Sequence, residues 1–194
     1  LREAGLERSA VTFFSWAALG YSFKFVWAPI VDFLPLPFLS QYLGRRRSWI
    51  LVSQIAIIIS ISLMAMTDPS TGDLQLKMMA FAAIALGFSS ATQDIVIDAY
   101  RIESAPPDLQ ALMSSTYIAG YRIGMLISGA GSLLLASLFG SEMHSYNYDA
   151  WRFTFLFMGF FTLFGIITTL MVKERKEYKK IKKKYSNYAY IRFF

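Results

Sequence analysis

The sequence has no cysteine, which rules out disulfides and thiolate metal ligands and leaves the redox compartment open. Its one histidine, His144, rules out a multi-histidine metal site, and no cofactor is expected. Charge is also scarce: 16% of the 194 residues are Asp, Glu, Lys or Arg, whereas 55% are hydrophobic, above the ~45–50% of a soluble domain. With a mean hydropathy of +0.43, this is the composition of a membrane protein. The net charge of +6 is not spread over a surface, because residues 173–194 carry +7 and the rest carries −1. Basic residues gathered behind an apolar run read as a juxtamembrane anchor on anionic lipid. No basic face remains to hold a nucleic acid.

Five runs are long enough to cross a ~30 Å hydrocarbon core as helices: 11–31, 48–67, 78–100, 111–138 and 153–172. They are apolar on all sides, whereas barrel strands would be short and would alternate polar with apolar residues. The expected fold is an all-α, polytopic transmembrane bundle of about five spans over residues 1–172, followed by a Lys-rich tail over 173–194. A cleaved leader is not expected, since the first run is too long and no net basic segment precedes it. Short turn-forming links, such as Asp68 to Asp73 and Pro106-Pro107-Asp108, imply antiparallel neighbours. Thirteen Lys and Arg fall on the tail's side of the bundle against four on the other, so the tail is expected to be cytoplasmic.

A charge at mid-bilayer costs ~2.5–3.5 kcal/mol on insertion scales, so ionisable residues inside spans need a partner or a cavity. Arg122 lies ~16 Å along its run, at about half the depth of the core. Lys24 lies ~12 Å from its cytoplasmic end, where a snorkelling reading and a functional one stand level. Asp94, Asp98 and Arg101 recur at i, i+4 and i+7 and share one helix face. An Asp98–Arg101 ion pair near the boundary accounts for the outer two, leaving Asp94 as the deeper carboxylate. Gly120, Gly124, Ser128, Gly129, Gly131 and Ser132 are read as a close-packing surface.

Several segments together resemble the AmpG-type muropeptide permeases of the major facilitator superfamily. They are Tyr21 to Asp32, Gly44-Arg45-Arg46-Arg47-Ser48-Trp49, Gln93 to Glu103 and Gly120-Tyr121-Arg122-Ile123-Gly124, with Leu1 to Leu6 at the start. The resemblance covers residues 1 to about 172, and QDIVIDAYRIE is its most specific element. It implies a proton symporter that imports anhydro-muropeptides, the products of cell-wall turnover, across the bacterial inner membrane for peptidoglycan recycling. The expected partners are the lipid bilayer, an anionic sugar-peptide and protons. The resemblance implies a cytoplasmic gate containing Asp32, Gly44, Arg45, Arg46, Arg47, Arg101 and Glu103. It places Lys24, Asp94, Asp98 and Arg122 at substrate-binding or proton-coupling positions. Trp16, Tyr21, Trp27 and Tyr117 offer ring faces to a sugar. Phe33 stands where family members carry an arginine after the loop aspartate.

A complete member has twelve helices, and this chain matches helices two to six. One half of a split carrier, complemented by a separately encoded half, is therefore one alternative. A non-transporting membrane remnant or scaffold is another. An enzyme is not expected, since there is no His-Glu-x-x-His motif and no Ser/His pairing, and His144 falls in a loop.

Overall fold

A computed structural model describes residue 14, residues 19–141 and residues 145–172. Trp16, His144, most of the expected first half-span and the Lys-rich tail lie outside the described residues. Among the described residues there is no β-strand, and the helices follow in the order α1 (Leu19–Ser22), α2 (Lys24–Phe33), α3 (Leu39–Tyr42), α4 (Arg45–Ala65), α5 (Asp73–Ser104), α6 (Gln110–Leu126), α7 (Ser132–Leu138) and α8 (Tyr148–Met171). A π-helical segment, Ile127–Gly131, joins α6 to α7, so that Pro107–Leu138 runs as one span. Among the described residues four helices are long and apolar enough to cross a bilayer: Arg45–Ala65, Asp73–Ser104, Pro107–Leu138 and Tyr148–Met171.

The first expected span is not a single helix within its described part. It breaks at Phe23, whose carbonyl accepts from Val26 N–H in the first turn of α2, and α2 runs on to Phe33 with Pro29 inside it. Gly44 opens α4 at φ 89°, a left-handed conformation that favours glycine. The α4 start thereby turns directly out of the preceding loop and places three arginines in its first turn. Asn147 caps α8 by accepting from Ala150 N–H at 3.3 Å.

The bundle is built around α4, which packs along both α5 and α8. Its buried positions include Arg46, Ile50, Ser53, Ile57 and Ser60, and α5 answers with Ala82, Ser89 and Val96 at seven-residue intervals. Small and hydroxyl residues dominate these seams because burying bulk gains nothing when the outside is equally apolar, whereas close approach gains van der Waals contact. The hydroxyls of Ser60, Thr92, Thr154 and Thr169 donate to carbonyls four residues back, so they leave no orphan donor in the bundle. Gly165 brings α8 so close to α4 that an added Cβ would lie 3.0 Å from Gln54 Nε2. The bulky residues face outward: Phe81, Phe153, Phe160 and Phe164 are all at least half exposed, where lipid tails would meet them.

The α4–α5 turn is held by Asp68, whose Oδ1 accepts from Ser70 N–H at 2.9 Å and from the Tyr146 hydroxyl at 3.1 Å. Partial burial pushes this carboxyl up, but the bonds from the Ser70 side chain and backbone and from Tyr146 outweigh it and hold the group below its usual value. A folded-state value below the unfolded ~3.9 means the contribution is fully present above that pH. It is lost as pH falls through the depressed value. Thermal unfolding in detergent between pH 7 and 3 should therefore fall away below ~pH 4, less so in Asp68→Asn. Identical pH dependence in the two would refute this.

Candidate functional site

Two charged clusters tie α2 to α5 at two levels. At the deeper level, Lys24 Nζ lies 2.6 Å from Asp94 Oδ2, and the Tyr117 hydroxyl of α6 donates to Asp94 Oδ1 at 2.5 Å. Asp94 thus has one oxygen on each of two neighbouring helices. The Lys24 and Asp94 side chains are 37% and 21% exposed, so the pair lies at the bundle's inner edge without being sealed in it. Trp27, one turn further along α2, donates through Nε1–H to Thr92 Oγ1 at 3.2 Å and packs against Phe88 with ring centroids 4.7 Å apart.

At the shallower level, ~12 Å further along α2, Arg46 is only 5% exposed and bridges two carboxylates. Its Nη1 lies 2.5 Å from Asp32 Oδ1, its Nη2 lies 2.7 Å from Glu103 Oε1, and Nε–H donates to Glu103 Oε2 at 3.3 Å. The fork is bidentate toward α5 and single toward α2, which makes α5 the firmer of its two attachments. Between the levels, Val31, Ile50 and Val96 form a small apolar core that keeps the two charged clusters separate.

The three adjacent arginines divide the work. Arg45 reaches Glu103 only at 4.0 Å and is one-third exposed. Among the described residues Arg47 belongs to no ion pair: its Nε and Nη2 donate at 2.8 and 2.7 Å to the carbonyls of Thr169 and Leu170, the C-terminal acceptors of α8. The resemblance groups Arg47 with the gate, but the structure gives it to the α8 terminus.

Asp98 and Arg101 pair at 3.2 Å across one turn of α5. The Arg101 guanidinium also donates to Ser114 Oγ and lies 5.3 Å over the Tyr117 ring. The i, i+4, i+7 face of Asp94, Asp98 and Arg101 is thus the face turned to α6.

Arg122 departs from the expectation of an interior partner: it is exposed and makes no ion pair or hydrogen bond with the described residues. The reason is rotational. Five residues separate it from Tyr117, which puts it about 140° round the helix from the side chain that faces Asp94. No residue of α6 is buried, so the described helices supply no wall on that side.

Sequence reasoning did not identify Tyr117 as the second anchor of Asp94, nor the Trp27–Thr92 bond. The available signal was composition, since a tyrosine inside a span tends to place its hydroxyl on a polar partner. Among the described residues, no group of three or more His, Cys, Asp or Glu could hold a metal ion.

The Major Facilitator Superfamily model matches residues 5–188. A Rickettsia felis protein named as transporter AmpG 4 is 36% identical over 176 residues, covering 91% of this chain and 40% of that protein. The anhydromuropeptide permease of Escherichia coli K12 is 34% identical over 169 residues, covering 87% of this chain and 31% of the permease. An uncharacterised protein of Haemophilus influenzae is 40% identical over 159 residues, covering 81% of this chain and 33% of its own length. The chain therefore spans about a third to two-fifths of the relatives it matches, and no solved structure matches it. With apolar helices of spanning length packed through small residues and an arginine-bridged carboxylate cluster at one end, the chain belongs to the major facilitator superfamily and is similar to its AmpG transporters.

Proposed function

We propose that this chain forms part of a proton-coupled carrier that imports anhydro-muropeptides across the bacterial inner membrane, with the Arg46 cluster and the tail on the cytoplasmic side. The observation that carries this reading is the Lys24–Asp94–Tyr117 cluster, a charged pair held between three helices well inside the span. Protonating Asp94 removes the charge that holds Lys24 and weakens the Tyr117 bond. Lys24 is then free to meet an anionic sugar-peptide, so proton loading and substrate contact become one event. The name of the E. coli relative supports the substrate class. In this reading Arg46, with Asp32 and Glu103, forms the gate, and Asp98 with Arg101 sets the α5–α6 spacing beside it.

The open α6 face with Arg122 supports a second element, that the transporting unit includes helices from a complementary half. Alternating access in repeat-built carriers rocks one bundle against another around a midplane site, and one bundle has no opposing wall.

The test is uptake of labelled anhydro-muropeptide into proteoliposomes under an imposed proton gradient. The chain alone should give none, and co-expression with the remaining family helices should restore saturable, gradient-dependent accumulation. Accumulation by the chain alone would refute the need for a complementary half, and no accumulation by the reconstituted pair would refute the substrate class.

A further inference from the structure

At the end of the bundle remote from Arg46 lies a cavity of about 220 Å³ between the α4 terminus, the start of α5 and the start of α8. It is smaller than the ~300–1,000 Å³ of pockets that enclose a small molecule, so it suits one end of a longer one. Its walls are apolar: Met64, Met79, Trp151 and Phe155, with the Trp151 and Phe155 rings 6.0 Å apart. Two tyrosines also line it, but their hydroxyls are committed elsewhere, Tyr148 to the Ala65 carbonyl at 3.0 Å and Tyr146 to Asp68. Met79 and Phe155 lie six and seven residues inside their helices, so the cavity reaches ~10 Å below the helix ends. That is the depth of the first carbons of an acyl chain beneath a headgroup.

The polar groups at this mouth are of both signs. Arg152 lines the cavity, is exposed and has no ion-pair partner among the described residues. Asp68 is bonded to the lining residue Tyr146 and is held in its ionised form by the Ser70 and Tyr146 bonds. A cation and an anion over an apolar slot at headgroup level match a zwitterionic lipid. Asp68 repels a purely anionic one, and it accepts hydrogen bonds that a quaternary ammonium cannot donate.

We propose that this cavity is a binding site for phosphatidylethanolamine, with the lipid phosphate on Arg152, its primary ammonium on Asp68 and the upper part of one acyl chain between Met64, Met79 and Phe155. The site is separate from the Lys24–Asp94 pair and stands whatever the carrier transports.

Native mass spectrometry of the delipidated full chain, titrated with single lipids, tests it. Phosphatidylethanolamine should be retained in preference to both phosphatidylcholine and phosphatidylglycerol. Arg152→Ala and Asp68→Asn should each weaken retention about tenfold, the scale of one charge-assisted hydrogen bond. Asparagine preserves the acceptor for Ser70, so the turn persists while the charge is lost. Met79→Trp, which fills the slot, should weaken retention with the headgroup contacts intact. Lys77→Ala, in a neighbouring groove with Leu63 and Phe81, should leave it unchanged. Equal retention of the three lipids, or full retention in both charge variants, would overturn the proposal. Glycerophosphoethanolamine binding as tightly as the lipid would overturn the acyl slot. Circular dichroism without lipid separates loss of the site from loss of fold. If Arg152→Ala does not fold, the preference for ethanolamine over choline on the unaltered chain decides.

Discussion

Asp94→Asn in the reconstituted carrier should abolish gradient-driven accumulation while substrate exchange down its own gradient continues. Asparagine keeps an oxygen for the Tyr117 hydroxyl and nearly the same volume, so what it removes is the charge opposite Lys24 and, with it, the group proposed to couple transport to protons. An uncompensated lysine within the span costs ~2.5–3.5 kcal/mol, equivalent to a shift on the order of 100-fold in any equilibrium that exposes it. The variant should also unfold more readily in detergent than the parent. Lys24→Met alone leaves the opposite orphan and should be similarly damaging. Lys24→Met with Asp94→Asn removes both charges and should regain much of the stability but none of the coupling. A thermodynamic cycle over the four proteins then measures the pair itself. Full gradient-driven accumulation by Asp94→Asn would exclude the carboxylate from coupling.

The helical architecture was legible in the sequence because a bilayer leaves few options. The run 48–67 carries no ionisable residue and is bounded by Arg47 and Asp68, and α4 occupies Arg45–Ala65. The i, i+4, i+7 spacing likewise placed Asp94, Asp98 and Arg101 on one face, because the helix fixes relative azimuth within one element. Azimuth between elements was not legible. Counting residues gave the depth of Arg122 but not its direction, and it points away from the side on which Tyr117 meets Asp94. The Lys24–Asp94 contact joins residues 70 apart through helix packing that no local spacing encodes. Arg47 was also beyond reach. Its partners are the Thr169 and Leu170 carbonyls, and a backbone acceptor has no signature in side-chain sequence.

Arg46→Gln should open the Arg46 end of the bundle and slow transport more than any other single change in its cluster. Among the described residues Arg46 alone touches both Asp32 and Glu103, so its loss leaves two carboxylates near each other with Arg45, 4.0 Å from Glu103, as the remaining cation there. Breaking a buried pair by removing one partner costs ~3–5 kcal/mol. Asp32 and Glu103 are 41% and 24% exposed at the side chain, which lets water screen them and lowers the expected cost to about 2 kcal/mol. The geometry also orders the neighbouring variants. Glu103→Gln weakens the two-bond attachment to α5, whereas Asp32→Asn weakens a single bond to α2 and leaves the fork in place, so damage should fall from Arg46 to Glu103 to Asp32. Arg47→Gln supplies the contrast, because it frees the α8 terminus without touching the Arg46–Asp32–Glu103 cluster. It should loosen the last turn of α8 in hydrogen exchange and leave the α2–α5 distance unchanged. Spin labels at Leu34 and Ser104, both beside the cluster, would read that distance as a broadened and longer distribution in Arg46→Gln alone. An unchanged distribution there, or equal broadening in Arg47→Gln, would remove Arg46 from its role as the clasp between the two helices.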